Sequence, residues 1–171
     1  MPTQIPGDAE LFELARQVGQ RLRGVRARLV AAESCTGGWI AKAATDVAGS
    51  SEWFECGYVT YSNAAKVRDL GVAPETLARH GAVSEATVRE MAAGALRISG
   101  ATVAVAVSGV AGPDGGTAEK PVGTVWFCAG TRDRLVCLIE RFPGDREAVR
   151  RRSVERALRL VLSVDLESVR P

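Results

Sequence analysis

A serine, a cysteine, a threonine and two glycines stand together in Ala32-Glu33-Ser34-Cys35-Thr36-Gly37-Gly38. The stretch follows a short apolar run, Arg28-Leu29-Val30-Ala31-Ala32, and opens a helical pattern over 37–47. A hydroxyl and a thiol therefore sit where a strand turns into a helix, beside backbone N–H groups that lack a helical acceptor and at the positive end of the helix dipole. Such a turn can hold an anion, or it can present a nucleophile next to ready-made oxyanion donors.

Ser34 as a nucleophile needs a base. The chain has one histidine, His80, in the turn Arg79-His80-Gly81; a lone turn histidine reads as a solvated residue, so a Ser-His-Asp triad is not expected. Lysine is the remaining choice, because burial or a nearby cation can strip its proton, whereas arginine effectively keeps its own. Of 22 basic residues only Lys42, Lys66 and Lys120 are lysines. Lys66 falls in the first turn of the helix after the second strand, and Tyr61 closes that strand. If the first two strands run parallel, Ser34, Tyr61 and Lys66 share the sheet edge at which open α/β sheets bind ligands. Tyr61 could there relay a proton or hydrogen-bond the lysine. Spacing alone leaves the plainer alternative open, a strand aromatic and a solvated helix lysine.

Two further stretches carry chemistry. The loop 108–123 holds five glycines in sixteen residues, from Ser108-Gly109-Val110-Ala111-Gly112-Pro113 to Lys120-Pro121-Val122-Gly123. Its backbone N–H groups could meet a phosphate or a carbonyl oxygen as a nest, although it lacks the Gly-Lys-Ser/Thr ending of a P-loop. The last helix carries Arg146, Arg150, Arg151, Arg152, Arg156 and Arg159 among acidic residues, and most of these read as a solvated face. Arg146 is the exception, since Phe142-Pro143-Gly144-Asp145-Arg146 puts it at a helix start where a phosphate could be clamped.

The elements that must position these residues follow from periodicity. Helices are predicted over 9–24 (Leu11, Ala15, Val18, Leu22 on one face), 37–47, from Ser62 or Asn63 to Leu70, a short turn from Pro74 to Arg79, 85–98 (Val88, Met91, Ala95, Ile98) and about Asp145 to Val164 (Val154, Leu158, Val161, then Leu166). Strands are predicted over 28–33, 52–61, 101–107, 124–129 and 134–141, the last two joined as a hairpin. Alternating strands and helices make a three-layer α/β/α sandwich, and the hairpin makes its mostly parallel sheet mixed. Residues 1–171 read as one domain.

Composition narrows the classes. No apolar run is long enough to span a membrane, and Met1 to Asp8 has neither the basic start nor the apolar core of a signal peptide, so a cytoplasmic protein is expected. A net charge of +2, and a basic last helix without interleaved aromatics, argue against nucleic acid. Cys35, Cys56, Cys128 and Cys137 lack metal-ligand spacing. Cys56, Cys128 and Cys137 are expected to be buried small hydrophobes.

Ala32 to Gly38, Thr60-Tyr61-Ser62-Asn63-Ala64-Ala65-Lys66, Ser108 to Pro113 and Gly116-Thr117 through Lys120-Pro121-Val122-Gly123-Thr124 closely resemble the CinA C-terminal domain family, over nearly the whole chain. Its characterised enzymes are nicotinamide-nucleotide amidases, and larger members carry an extra N-terminal domain, so this chain looks like the stand-alone form. The resemblance implies Ser34 as nucleophile, completed by Tyr61 and Lys66 as a Ser-Tyr-Lys set. It also implies hydrolysis of nicotinamide mononucleotide, a small-molecule nucleotide substrate, to nicotinate mononucleotide and ammonia. A three-layer α/β/α sandwich, a homo-oligomer and no metal or organic cofactor are implied with it. N–H groups around Cys35, Thr36 and Gly37, or the Ser108-Gly109 turn and Gly112, would meet the substrate; Thr117 and Arg146 are candidates for its phosphate. The alternative is a non-catalytic nucleotide-binding or competence-associated regulatory domain, with a nucleic-acid binder last.

Overall fold

The computed structural model describes residues 4–169. Five strands, β1 (Leu29–Glu33), β2 (Phe54–Val59), β3 (Val103–Gly109), β4 (Thr124–Gly130) and β5 (Leu135–Arg141), form one sheet in the order β2-β1-β3-β4-β5. β1 pairs in parallel with both β2 and β3, while β4 pairs antiparallel with β3 and β5, so β4 alone runs against the other four. β1 is buried at every position and β3 at all but its last, as expected of continuous apolar runs covered on both faces. Edge strands β2 and β5 instead alternate between more and less covered positions.

Helices cover both faces. α1 (Asp8–Gly24), α2 (Trp39–Thr45) and α6 (Arg146–Ser163) pack with Leu29, Ala31, Val103, Val105 and Phe127 on one side. α3 (Asn63–Leu70), α4 (Pro74–His80) and α5 (Glu85–Ser99) pack with Val30, Ala32, Ala104 and Ala106 on the other. The predicted three layers and mixed sheet are therefore present. α5 lies close against α3: a Cβ on Gly94 would stand 1.9 Å from the Leu70 carbonyl oxygen, so only glycine fits there.

Local chemistry sets the ends. Ser62 caps α3 by accepting from Ala65 N–H, Ser84 caps α5 by accepting from Thr87 N–H, and Asp145 caps α6 by accepting from Ala148 N–H. α3 and α5 stop at Gly71 and Gly100, both left-handed. Two packing expectations need correction. Ile98 is 49% exposed, because the last turn of α5 buries Leu96 in its place. Cys56 and Cys137 are only half-buried, since they lie on the edge strands, and the two buried thiols are Cys128 and Cys35.

The chain leaves β1 toward the layer of α2 and leaves β2 toward the layer of α3. Two adjacent parallel strands that send their continuations to opposite faces open a crevice at their C-terminal ends. Ser34, Tyr61 and Lys66 all sit at that edge.

Candidate active site

The turn after β1 is held from three sides. Ser34 N–H donates to Val107 O on β3 (3.0 Å), and Gly37 N–H donates to Ser34 O (3.0 Å). Gly37 and Gly38 take left-handed conformations, which explains two consecutive glycines where the strand reverses into α2. The third hold is one that sequence reasoning missed. Glu33 is fully buried, and its carboxylate accepts from the N–H groups of Gly38 (3.1 Å), Ile40 (3.1 Å) and Ala41 (2.8 Å).

The start of α2 is thus occupied by the protein's own carboxylate, and the anion site that the turn suggested there is already filled. Nothing in the strand pattern marked Glu33, which ends an apolar run as a strand-terminal acid would. Glu33→Gln places an NH₂ against N–H donors, so the variant should lose about 2–4 kcal/mol of stability. Urea unfolding of variant and parent checks this.

Lys66 is the second largest fully buried side chain of the described residues, 1% exposed. Its Nζ lies 3.0 Å from Ser34 Oγ, 2.8 Å from Thr60 O and 3.3 Å from Tyr61 O. Burial holds its pKa below the ordinary 10.5. Neither acceptor carbonyl carries a charge, so no ion pair among these contacts offsets the lost hydration of an ammonium. Cys35, next to the serine, goes the opposite way: burial pushes its thiol up to about 12, which leaves it protonated and a poor nucleophile.

Tyr61 lies beside this pair but turns its ring outward, 61% exposed. Its hydroxyl accepts from Arg146 Nη2 (2.9 Å), while Arg146 Nη1 donates to Gly112 O (2.8 Å). The link from Tyr61 to Lys66 is its backbone carbonyl and not its phenol. Arg146 has no carboxylate partner among the described residues.

These residues share a cavity of about 310 Å³. Of the residues singled out by sequence, Ser34, Cys35, Tyr61, Lys66, Ser108, Gly109, Gly112 and Arg146 line it. Thr36, Gly37 and Thr117 do not. The Thr36 side chain is buried with its hydroxyl unpartnered among the described residues, Gly37 faces Arg150, and the Thr117 hydroxyl accepts from Lys120 N–H within its own turn. Ala82 and Val83, after α4, add an apolar wall that no motif announced, and Asp114 adds a carboxylate. Lys120 straps the glycine loop to the end of α4 by donating to His80 O (2.6 Å). Among the described residues no three His, Cys, Asp or Glu side chains cluster to hold a metal ion, and no helix is long and apolar enough to cross a membrane.

The CinA C-terminal domain profile matches residues 11–164. The chain belongs to that family. It is 59% identical over 152 residues to the nicotinamide-nucleotide amidohydrolase PncC of Escherichia coli (strain K12), covering 88% of this chain and 92% of that protein. It is 54% identical over 154 residues to the protein of the same name from Pseudomonas putida, covering 90% and 96%. The crystal structure of the competence/damage inducible protein CihA from Agrobacterium tumefaciens superposes with a TM-score of 0.88 at 44% identity, covering 94% of this chain and 98% of that one. The three-layer α/β/α sandwich read from alternating strands and helices is therefore the fold of solved relatives.

Proposed function

We propose that this CinA-family chain is an amidohydrolase that converts nicotinamide mononucleotide to nicotinate mononucleotide and ammonia, with Ser34 as nucleophile and Lys66 as its base. The relatives named nicotinamide-nucleotide amidohydrolase, alike over most of their length, support the substrate. One geometric observation supports the mechanism: the three partners of Lys66 Nζ. Two of them, Thr60 O and Tyr61 O, are carbonyls that can only accept. A neutral amine has two N–H bonds and one lone pair, so with both N–H groups turned to the carbonyls its lone pair faces Ser34 Oγ, 3.0 Å away.

The chemistry then runs in two halves. The Ser34 hydroxyl passes its proton to Lys66 as Oγ attacks the carboxamide carbon. The resulting oxyanion meets the N–H of Cys35, which lines the cavity and has no acceptor within the described residues. The C–N bond breaks as Lys66 returns the proton to the departing nitrogen, leaving ammonia and a nicotinoyl ester on Ser34. Water, deprotonated by Lys66, releases the acid. Tyr61 serves through its carbonyl, which keeps the amine oriented, and through its phenol, which stands with Arg146 at the cavity mouth.

Arg146, fork-shaped and without an acidic partner among the described residues, is assigned to the substrate phosphate. The test is ammonia release from nicotinamide mononucleotide by the parent protein; no release above background removes the reading. Arg146→Ala should raise KM for the mononucleotide about tenfold or more, the typical worth of a charge-assisted phosphate contact. With the dephosphorylated nucleoside as substrate the same variant and the parent should behave alike. Tyr61→Phe, which keeps the carbonyl, should lose far less kcat than a change at Ser34 or Lys66.

A further inference from the structure

The six arginines of α6 differ in what they touch, and one of them reaches the back of the nucleophile turn. Arg150 Nε donates to Cys35 O (3.0 Å) and its Nη2 donates to Thr36 O (2.9 Å). Its guanidinium lies over the Trp39 ring, 5.2 Å from the centroid, and it has no carboxylate partner among the described residues. Gly37 leaves room for this approach: a Cβ there would stand 3.2 Å from Nη2. Arg150 does not line the cavity, so it grips the turn from the side away from substrate.

In a trans peptide the carbonyl and the following N–H point in opposite directions. Arg150 therefore fixes two consecutive peptide planes by their oxygens. The Gly37 N–H opposite the second carbonyl is taken by Ser34 O. The turn is thereby fixed on the far side of Cys35, which lines the cavity beside Ser34 and whose own N–H has no acceptor among the described residues.

We propose that Arg150 is a positioning residue for the reaction: its fork fixes the two peptides that follow Cys35, so that the turn holds Ser34 Oγ and the Cys35 N–H in place for the oxyanion formed at Ser34. The inference rests on the amidase reading of Ser34. Lysine cannot replace the fork, since one compact ammonium does not bridge two carbonyls in a fixed plane. Arg151, the next residue, stacks on the same Trp39 ring (4.9 Å) but pairs with Asp8 and Glu147, away from the turn, and serves as a control.

The experiment compares the parent, Arg150→Gln, Arg150→Lys and Arg151→Gln by turnover of nicotinamide mononucleotide, by affinity for the product nicotinate mononucleotide, and by affinity for an arylboronic acid, which forms a tetrahedral adduct on the serine. Arg150→Gln should lose about 10–100-fold in kcat, somewhat less than outright removal of an oxyanion donor. Its KM and product affinity should stay within about twofold, and boronate affinity should fall with kcat. Arg150→Lys should recover little of the loss, and Arg151→Gln should keep parental kcat. The proposal is overturned if Arg150→Gln keeps kcat, if its loss lies in KM, if boronate binding is unchanged, or if Arg151→Gln falls equally. Should Arg150→Gln fail to fold, Arg150→Lys carries the same comparison with the charge retained. A parent that releases no ammonia refutes the amidase substrate, while the boronate comparison still reads Arg150.

Discussion

Ser34→Ala should abolish ammonia release, lowering kcat by about 10⁴-fold or more, the scale on which loss of a covalent nucleophile is felt in serine hydrolases. The variant should remain folded, because the turn at Ser34 is anchored by backbone groups, its N–H on Val107 O and its carbonyl under Gly37 N–H, and the one side-chain bond lost is that to Lys66 Nζ. Cys35→Ala is the companion measurement. The thiol is adjacent in sequence and lines the same cavity, yet burial keeps it protonated at neutral pH, so its removal should cost little turnover. Thiol-blocking reagents should likewise leave the parent active, whereas a serine-directed acylating reagent should inactivate it and place its label on Ser34. A Cys35→Ala protein that lost activity as completely as Ser34→Ala would reassign the nucleophile. Ser34→Ala acting at the parental rate would remove the covalent mechanism altogether.

The parts of this site that were readable from sequence are those governed by local rules. Strand ends, caps and left-handed glycines are short-range events, so Ser34 after β1, Ser62 before α3 and Gly71 after it could be placed by residue type. Parallel pairing of β1 and β2 then brings Ser34 and Lys66 to one edge, as the alternation of elements implied. The invisible parts depend on which side chain fills which space. Glu33 ends a strand and looks ordinary until α2 folds its N–H groups around the carboxylate. Arg150 is one of six arginines in a helix, and only the crossing of α6 behind α2 distinguishes it from its neighbours. Thr36, Gly37 and Thr117 show the converse. Membership of a motif placed them near the chemistry, but their side-chain positions face the interior, a guanidinium and a local turn, where they hold the machinery in shape.

Lys66→Met should lose about 10³-fold or more in kcat, because a positioned base contributes on this order and no other titratable side chain of the described residues hydrogen-bonds Ser34 Oγ. The pH dependence is the sharper part. Burial lowers the Lys66 pKa from 10.5, so turnover by the parent should rise with pH through that lowered value and level off before 10.5. The residual activity of Lys66→Met should lack this limb. Stability must follow the same titration. In the unfolded chain Lys66 keeps its ordinary pKa, so between the lowered value and 10.5 the unfolded state binds more protons than the folded one, and folding becomes more favourable as pH rises. Below the lowered value both states are protonated and the cost of burying the ammonium is borne in full. Lys66→Met has no such cost, so the stability of the parent relative to this variant should improve steadily as pH climbs toward 10.5, a comparison that cancels every other titrating group. Urea unfolding of both proteins across that range measures it. A parent whose activity limb and relative stability were both flat would mean a lysine that never changes charge beside Ser34, and the proton transfer proposed for it would have to be carried elsewhere.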